Sequence, residues 1–312
     1  MTIVDKKVSV VIPCYNESGN IPELYSRLSS TLKGTVSDYE IIFVDNCSTD
    51  RSEAMLRDLA SKDGRVVVIL FSRNFGNSQY GYSAGTEHAT GEAVIWMEGD
   101  LQDPPEVVSK LIEKWQEGYD VVYGVRPRAV GSFFSRIARR TFYRLFHALS
   151  YLDIPVDAGD FSLLDRKVVD QFNAMPERSR FVRGLRAWVG FRHTGVPYSR
   201  DERKHGVTSN PSFRRNAWWA KKFIFSFSYA PLAFVSRAAF WGAGLVVLSM
   251  GTMLVCALGQ RVSWHAAGAF SLVLMFLEVI LMSLAVLAES VSIIFEEVKG
   301  RPKYIIREII GR

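Results

Sequence analysis

Cysteine is scarce: Cys14, Cys47 and Cys256 are the only three in 312 residues, and no CxxC pair occurs among them. An odd, widely spaced set builds neither a disulfide framework nor a structural zinc site, and it fits a reducing compartment. The five histidines show no paired ligand spacing. Two phosphate-binding signatures are also missing. No GxGxxG follows the first apolar run and no GxxxxGK[ST] occurs anywhere, which argues against a dinucleotide Rossmann site and a P-loop. The N-terminus, MTIVDKKVSVVIPCYNE, reaches Glu17 after a short apolar run without a small-residue cleavage site, so we expect no signal peptide and a cytosolic start. Charge itself is missing from Ala238 to Leu258, and from Ala266 to Ala288 Glu278 is the only charged residue.

Those two runs, about 238–258 and 266–288, are each long enough at about 1.5 Å per residue to cross a hydrocarbon core of about 30 Å. We expect two transmembrane helices within residues 234–295. Arg214, Arg215, Lys221, Lys222 and Arg237 precede the first, Lys299, Arg301, Lys303 and Arg307 follow the second, and the connector carries only Arg261. The positive-inside rule then puts the N-terminal domain, 1–209, and a tail, 296–312, on the cytoplasmic face of the membrane, in a multi-pass protein. Between domain and spans, residues 210–233 interleave Arg214, Arg215, Lys221 and Lys222 with Trp218, Trp219, Phe223 and Phe227. That composition suits an interfacial amphipathic helix on an anionic bilayer. A net charge of +6 calls for an anionic partner, and with no recognition motif present a nucleic acid is not expected.

Along the first 125 residues, Val- and Ile-rich runs alternate with helix-like segments. VSVVIP (8–13), YEIIFVDN (39–46), RVVVILF (65–71), EAVIWME (92–98) and YDVVYGV (119–125) read as buried parallel strands. Ile21, Leu24, Tyr25, Leu28 and Leu32 recur at helical spacing, Asp50 with Glu53 reads as a capping box, and Pro104-Pro105 opens a helix that stops at Gly118. The fold class is α/β, an open and mostly parallel sheet with helices on both faces.

Ligands of such sheets bind beyond the carboxyl ends of the strands. Three polar clusters, PCYNE, VDNCSTD and MEGDLQD, fall on that rim. Carboxylates repel phosphate, but they hold it through a hard cation that takes one or two carboxylates and fills its shell with phosphate oxygens and water. Glu98 and Asp100 flank Gly99 and can face one ion. Asp103 and Glu106 read as turn and helix-start residues.

In these stretches, with DAGDFSLLDRKVVD, RFVRGLRAWVGFRHTGVPYSRDER and EEVKGRPKYIIRE, the chain resembles the inverting family 2 glycosyltransferases of GT-A fold, in the branch that charges polyprenyl phosphates. That branch includes the dolichol-phosphate mannose synthases and the bactoprenol glucosyltransferases; the two spans match the latter. The resemblance implies that Pro13, Tyr15, Asn16, Glu17, Asp45, Asn46 and Arg73 bind the nucleotide sugar. It further implies Glu98, Asp100 and Gln102 as the Mg2+ or Mn2+ site, and Arg126, Arg136 and Arg203 against the acceptor phosphate. Asp157 and Asp160 join Asp100 as catalytic-site carboxylates, either as a base or as groups that orient the sugar or an arginine. The implied reaction moves a sugar, UDP-glucose being the expected donor, to polyprenyl (undecaprenyl) phosphate with inversion. Homo-oligomerisation stays open. Three departures from the family pattern stand out: Glu98-Gly99-Asp100 for DxD, Asp45-Asn46-Cys47-Ser48 for DDGS, and Gly206-Val207-Thr208-Ser209-Asn210 for the GxSKY that commonly follows Arg203. They leave a second reading, a catalytically degenerate member serving as a membrane scaffold or partner subunit.

Overall fold

A computed structural model describes residues 3–126, 158–178, 180–204, 228, 230–258 and 263–311. Eight strands form one sheet: β1 (Val4–Cys14), β2 (Val36–Asp45), β3 (Val66–Phe71), β4 (Ala93–Trp96), β5 (Val121–Val125), β6 (Ala158–Asp165), β7 (His193–Pro197) and β8 (Ile306–Ile310). Their order is β7-β5-β6-β4-β1-β2-β3-β8. The central pairs β4–β1, β1–β2 and β2–β3 are parallel, whereas β6 runs against both its neighbours and β8 runs against β3. The sheet is thus mostly parallel, as the sequence suggests, and all five expected strands are present.

These strands read as unbroken apolar runs because both faces are covered. Val8, Val10, Val11 and Ile12 of β1 and Ile41 to Val44 of β2 are fully buried. Helices α1 (Ile21–Lys33), α2 (Ser52–Lys62) and α4 (Val107–Gln116) pack on one face, with α3 (Ser78–His88) and α5 (Arg166–Ala174) on the other. In α1, Ile21, Leu24, Leu28 and Leu32 are the buried stripe, each such side chain contributing about 1.5–3 kcal/mol on burial. A short helix, α6 (Val182–Trp188), follows α5 and leads to β7.

The expected capping box takes a different form. Asp50 accepts from the Ser52 N–H at 2.9 Å and the Ser18 N–H at 3.2 Å, but Glu53 turns outward to Arg57 at 3.1 Å and Arg307 at 2.7 Å. Two arginines outbid the reciprocal backbone bond for that carboxylate.

The closing segment joins the sheet. Beyond Gly300, Tyr304 stacks on Phe71 at 5.1 Å between ring centroids, and β8 pairs Ile309 with Ile69 and Ile310 with Val68. The sheet and its helices, with β8, form one compact unit; α7 (Ala230–Leu258) and α8 (Ser263–Val298) belong to a second. Within that second unit α7 packs on α8 so closely that a Cβ at Gly242 would lie 2.7 Å from the Phe276 ring. Among the described residues one helix, Phe270–Val298, is long and apolar enough to cross a membrane, and the apolar stretch Leu232–Leu248 is shorter. Of the expected interfacial helix at 210–233, residues 210–227 and 229 lie outside the described residues, and 230–233 belong to α7.

Candidate active site

Strand register brings the acidic loops together. Cys14 at the end of β1 is level with Asp45 at the end of β2, and Trp96 at the end of β4 pairs with Val11. The chain leaving β4 therefore runs beside the last residues of β1. Gly99 makes that approach feasible: a Cβ there would meet the Cys14 Sγ and the Pro13 carbonyl, each at 3.2 Å. Backbone strain concentrates here as well. Of the four non-glycine residues at positive φ among those described, Asn16 (57°), Cys47 (60°) and Leu101 (58°) each lie just past β1, β2 or β4, the kind of conformation that clusters at ligand sites.

Side chains lock the first two loops together. The Asn16 N–H donates to the Ser48 Oγ at 2.9 Å, Thr49 N–H to the Asn16 Oδ1 at 2.8 Å, and Glu17 N–H to the Ser52 Oγ at 2.9 Å. Asp45 is fully buried, both its oxygens taken by Ser48 at 3.0 and 2.5 Å, and burial raises its carboxyl above the usual range. Asn46 reaches instead to the loop after β3, at Asn74 and Phe75. Pro13 is packed under α3, where a Cβ on Gly81 would come within 2.8 Å of its ring, while Tyr15 is exposed at the mouth. Arg73 is exposed, with its guanidinium 4.1 Å from the Phe75 ring.

Acids and arginines meet beyond β4. Glu98 is part-buried, and burial, then the charges of Asp160, Asp100 and Asp103, push its carboxyl up to about 8. Buried Asp100 accepts from the Gln102 N–H at 3.1 Å, and Arg200 and Arg203 approach its Oδ2 at 3.8 and 3.9 Å. Arg203 also donates to Glu17 at 2.8 Å, whose other oxygen takes the Asn20 amide at 2.5 Å; burial still holds Glu17 above the usual range. Gln102 spends its backbone N–H on Asp100, and its carbonyl accepts from the Asp201 N–H at 2.9 Å. Residues 198–204 thereby cross the acid turn.

Asp103 departs from expectation. It is fully buried rather than a turn residue, bonded to the Tyr198 hydroxyl at 2.5 Å and Arg126 at 3.1 Å, with Arg200 3.6 Å away and its Oδ2 without a partner. Its neighbour in sequence, Glu106, does stand at the start of α4, where Arg27 clamps it at 2.8 and 2.7 Å. Asp160 is gripped by Arg183 at 2.6 and 3.0 Å, and despite burial this pairing keeps its carboxyl below the usual range. Arg186 lies beneath, bonded to the Gly159 carbonyl at 3.1 Å, its guanidinium lowered to about 10 by burial. Asp157 and Arg136 lie outside the described residues.

Among the described residues no three His, Cys, Asp or Glu side chains converge as a self-sufficient metal site. Glu98 and Asp100 nonetheless fit a magnesium-like ion. Their donors are all oxygen, and the charges of Asp160, Asp100 and Asp103 that add to burial in raising Glu98 would be relieved by a dication completing its shell with phosphate and water. Sequence reasoning missed Tyr198, Arg200, Arg183 and Arg186. The one available signal was arginine density, with seven between Arg178 and Arg203.

A mostly parallel open sheet with a Glu-Gly-Asp turn past its fourth strand and arginines facing it has the GT-A-like arrangement of nucleotide-sugar transferases. The chain belongs to glycosyl transferase family 2, whose model matches residues 9–172. It is 40% identical over 307 residues to an uncharacterized glycosyltransferase of Bacillus subtilis, covering 97% of this chain and 94% of the relative. It is 36% identical over 311 residues to a prophage-derived bactoprenol glucosyl transferase of Shigella flexneri, covering 97% and 98%. Among solved structures, glucosyl-3-phosphoglycerate synthase of Mycobacterium tuberculosis with Mn2+, UDP-glucose and phosphoglyceric acid is 21% identical with a TM-score of 0.45, covering 69% of this chain and 78% of that one.

Proposed function

We propose that this glycosyltransferase moves glucose from UDP-glucose to a polyprenyl phosphate with inversion, on the cytoplasmic face of the bacterial inner membrane. The observation that carries the reading is the meeting of acids and arginines at one sheet rim, where Glu98 lies among Asp100 and Asp103, Arg126 pairs with Asp103, and Arg200 and Arg203 approach Asp100. A donor diphosphate and an acceptor phosphate need both signs of charge there. Full-length similarity to a bactoprenol glucosyl transferase supports the acceptor class, and the apolar helix Phe270–Val298 supports membrane residence. The two-span topology, with both termini cytoplasmic, is part of the same proposal.

The acceptor is a phosphate monoester whose second pKa is about 6, so at neutral pH it is already a nucleophile. Its oxygen attacks C1 of the glucose, the bond from C1 to the UDP oxygen breaks, and UDP departs with that electron pair. No strong base is required. Asp160 accordingly acts as a positioning residue: its pairing with Arg183 keeps it ionised and aims that arginine. Arg126 and Arg203 hold the acceptor phosphate in line and offset repulsion between the two phosphates. A bound Mg2+ or Mn2+, held by Glu98 and Asp100, would stabilise charge on the leaving diphosphate. Pro13, Tyr15, Asn16, Glu17, Asp45 and Arg73 shape the nucleotide side.

Purified full-length protein incubated with radiolabelled UDP-glucose, Mn2+ and undecaprenyl phosphate tests the reading. Label entering the organic phase as a lipid-linked sugar is the expected result. No lipid-linked product with glucose or any other UDP-sugar overturns it and leaves the scaffold reading. An Asp160→Asn variant should lose rate without a shift in the pH profile; a shifted profile would restore the base role.

A further inference from the structure

The second departure from the family pattern, Asn46 in place of an acid, has a partner three residues past β3. The Phe75 N–H donates to the Asn46 Oδ1 at 2.9 Å, the Asn46 Nδ2 donates to the Asn74 Oδ1 at 3.1 Å, and the Gly76 N–H donates to that same Asn74 Oδ1 at 2.7 Å. A backbone N–H can only donate, so the amides at both ends of this chain fix which atom of each asparagine is oxygen. Polarity then runs one way from Asn46 to Asn74. The base of the chain is rigid too: Asn46 is 8% exposed and its own N–H donates to the Cys14 carbonyl at 2.9 Å.

What the chain holds is the loop that presents Arg73. The guanidinium lies over the Phe75 ring and donates to the Asn74 carbonyl at 3.2 Å, so Arg73 leans on the two residues that Asn46 grips. We infer that Asn46 and Asn74 form a clasp that positions the Arg73 loop for the donor, and that position 46 must carry an amide because it must donate as well as accept. This rests on the donor site of the proposed function, and it makes Asn46 a positioning residue that acts through Asn74.

Two near-isosteric variants separate the clasp from mere charge, because each adds one negative charge beside the donor. In Asn46→Asp the carboxylate has no N–H to give, so it opposes the Asn74 Oδ1, or Asn74 turns its amide and releases Gly76. In Asn74→Asp both incoming donors still find an acceptor. Hydrogen exchange of residues 72–78 in the full-length protein should accelerate in Asn46→Asp and stay at the wild-type rate in Asn74→Asp. The KM for UDP-glucose should rise roughly threefold to tenfold more in Asn46→Asp than in Asn74→Asp, with kcat within about twofold, as befits one hydrogen bond. Equal effects of the two variants, or unchanged exchange in both, would overturn the clasp. If the wild type transfers no sugar, the proposed function fails while the exchange comparison still decides this inference.

Discussion

Glu40 and Glu98 flank the two ends of β4, one part-way along the chain's second strand and the other just past the fourth. Glu40, 7% exposed, accepts from the Ser9 Oγ at 2.6 Å and from the Thr90 N–H and Oγ1 at 2.7 and 3.0 Å, with Lys7 3.7 Å away. These bonds outweigh burial and hold its carboxyl below the usual range. Glu98 has Asp160, Asp100 and Asp103 around it instead, and burial, then their charges, push it up to about 8. The same residue type serves the fold at one end, where its charge is satisfied, and sits among other acids at the other, where the proposed function would have it help hold a cation.

The sharpest break of this contrast is at the active end. Asp100→Asn should cut glucosyl transfer by about a hundredfold or more, the scale of removing one electrostatic stabiliser of a transition state, and chelation by EDTA should abolish transfer by the wild type. Without metal the variant's thermal midpoint should change little, since losing the repulsion with Glu98 offsets losing the approach of Arg200 and Arg203 at 3.8 and 3.9 Å. Unfolding without loss of activity would reverse the assignment.

At the other end Glu40→Gln should leave transfer intact and cost about 1–3 kcal/mol of stability at neutral pH. The sign follows from linkage. A carboxyl lowered in the folded state stabilises above its unfolded pKa of about 4.3 and loses that contribution as pH falls through the folded value. The gap in thermal midpoint between wild type and variant should therefore close below about pH 4.

A pH series distinguishes the two glutamates most directly. In EDTA, a carboxyl raised to about 8 in the folded state makes the wild type lose stability as pH climbs from the ordinary glutamate range toward that value. Glu98→Gln removes this slope, so its midpoint should gain on the wild type as pH rises, and saturating Mn2+ should shrink the gain. A gain that grows as pH falls would contradict the environment described for Glu98.

Much of the sheet was legible because parallel strands buried on both faces leave long Val and Ile runs. The other three strands, β6, β7 and β8, leave no such run: AGDFSLLD is broken by Asp160 and Ser162, HTGVP has a single large aliphatic residue, and IREII carries two charges. The rim acids were legible by position, since strand ends gather there in any such sheet. Their partners were not, because Arg183, Arg200 and Tyr198 are 23 to 100 positions away from Asp160, Asp100 and Asp103 in the chain.

By itself the sequence determined the family, the α/β alternation, the acid turn at Glu98-Gly99-Asp100 and the apolar run that becomes the helix Phe270–Val298. Each is written in local pattern or in motifs whose order the chain preserves. Only the tertiary structure decided that Asp103 is a buried partner of Arg126 and Tyr198, that Asp160 is an ionised partner of Arg183, that Asn46 grips Asn74, and that β8 closes the sheet edge. Charge and hydrogen-bond pairing depend on distances between side chains, and segments remote in sequence acquire those distances only when the sheet stacks their loops on one rim.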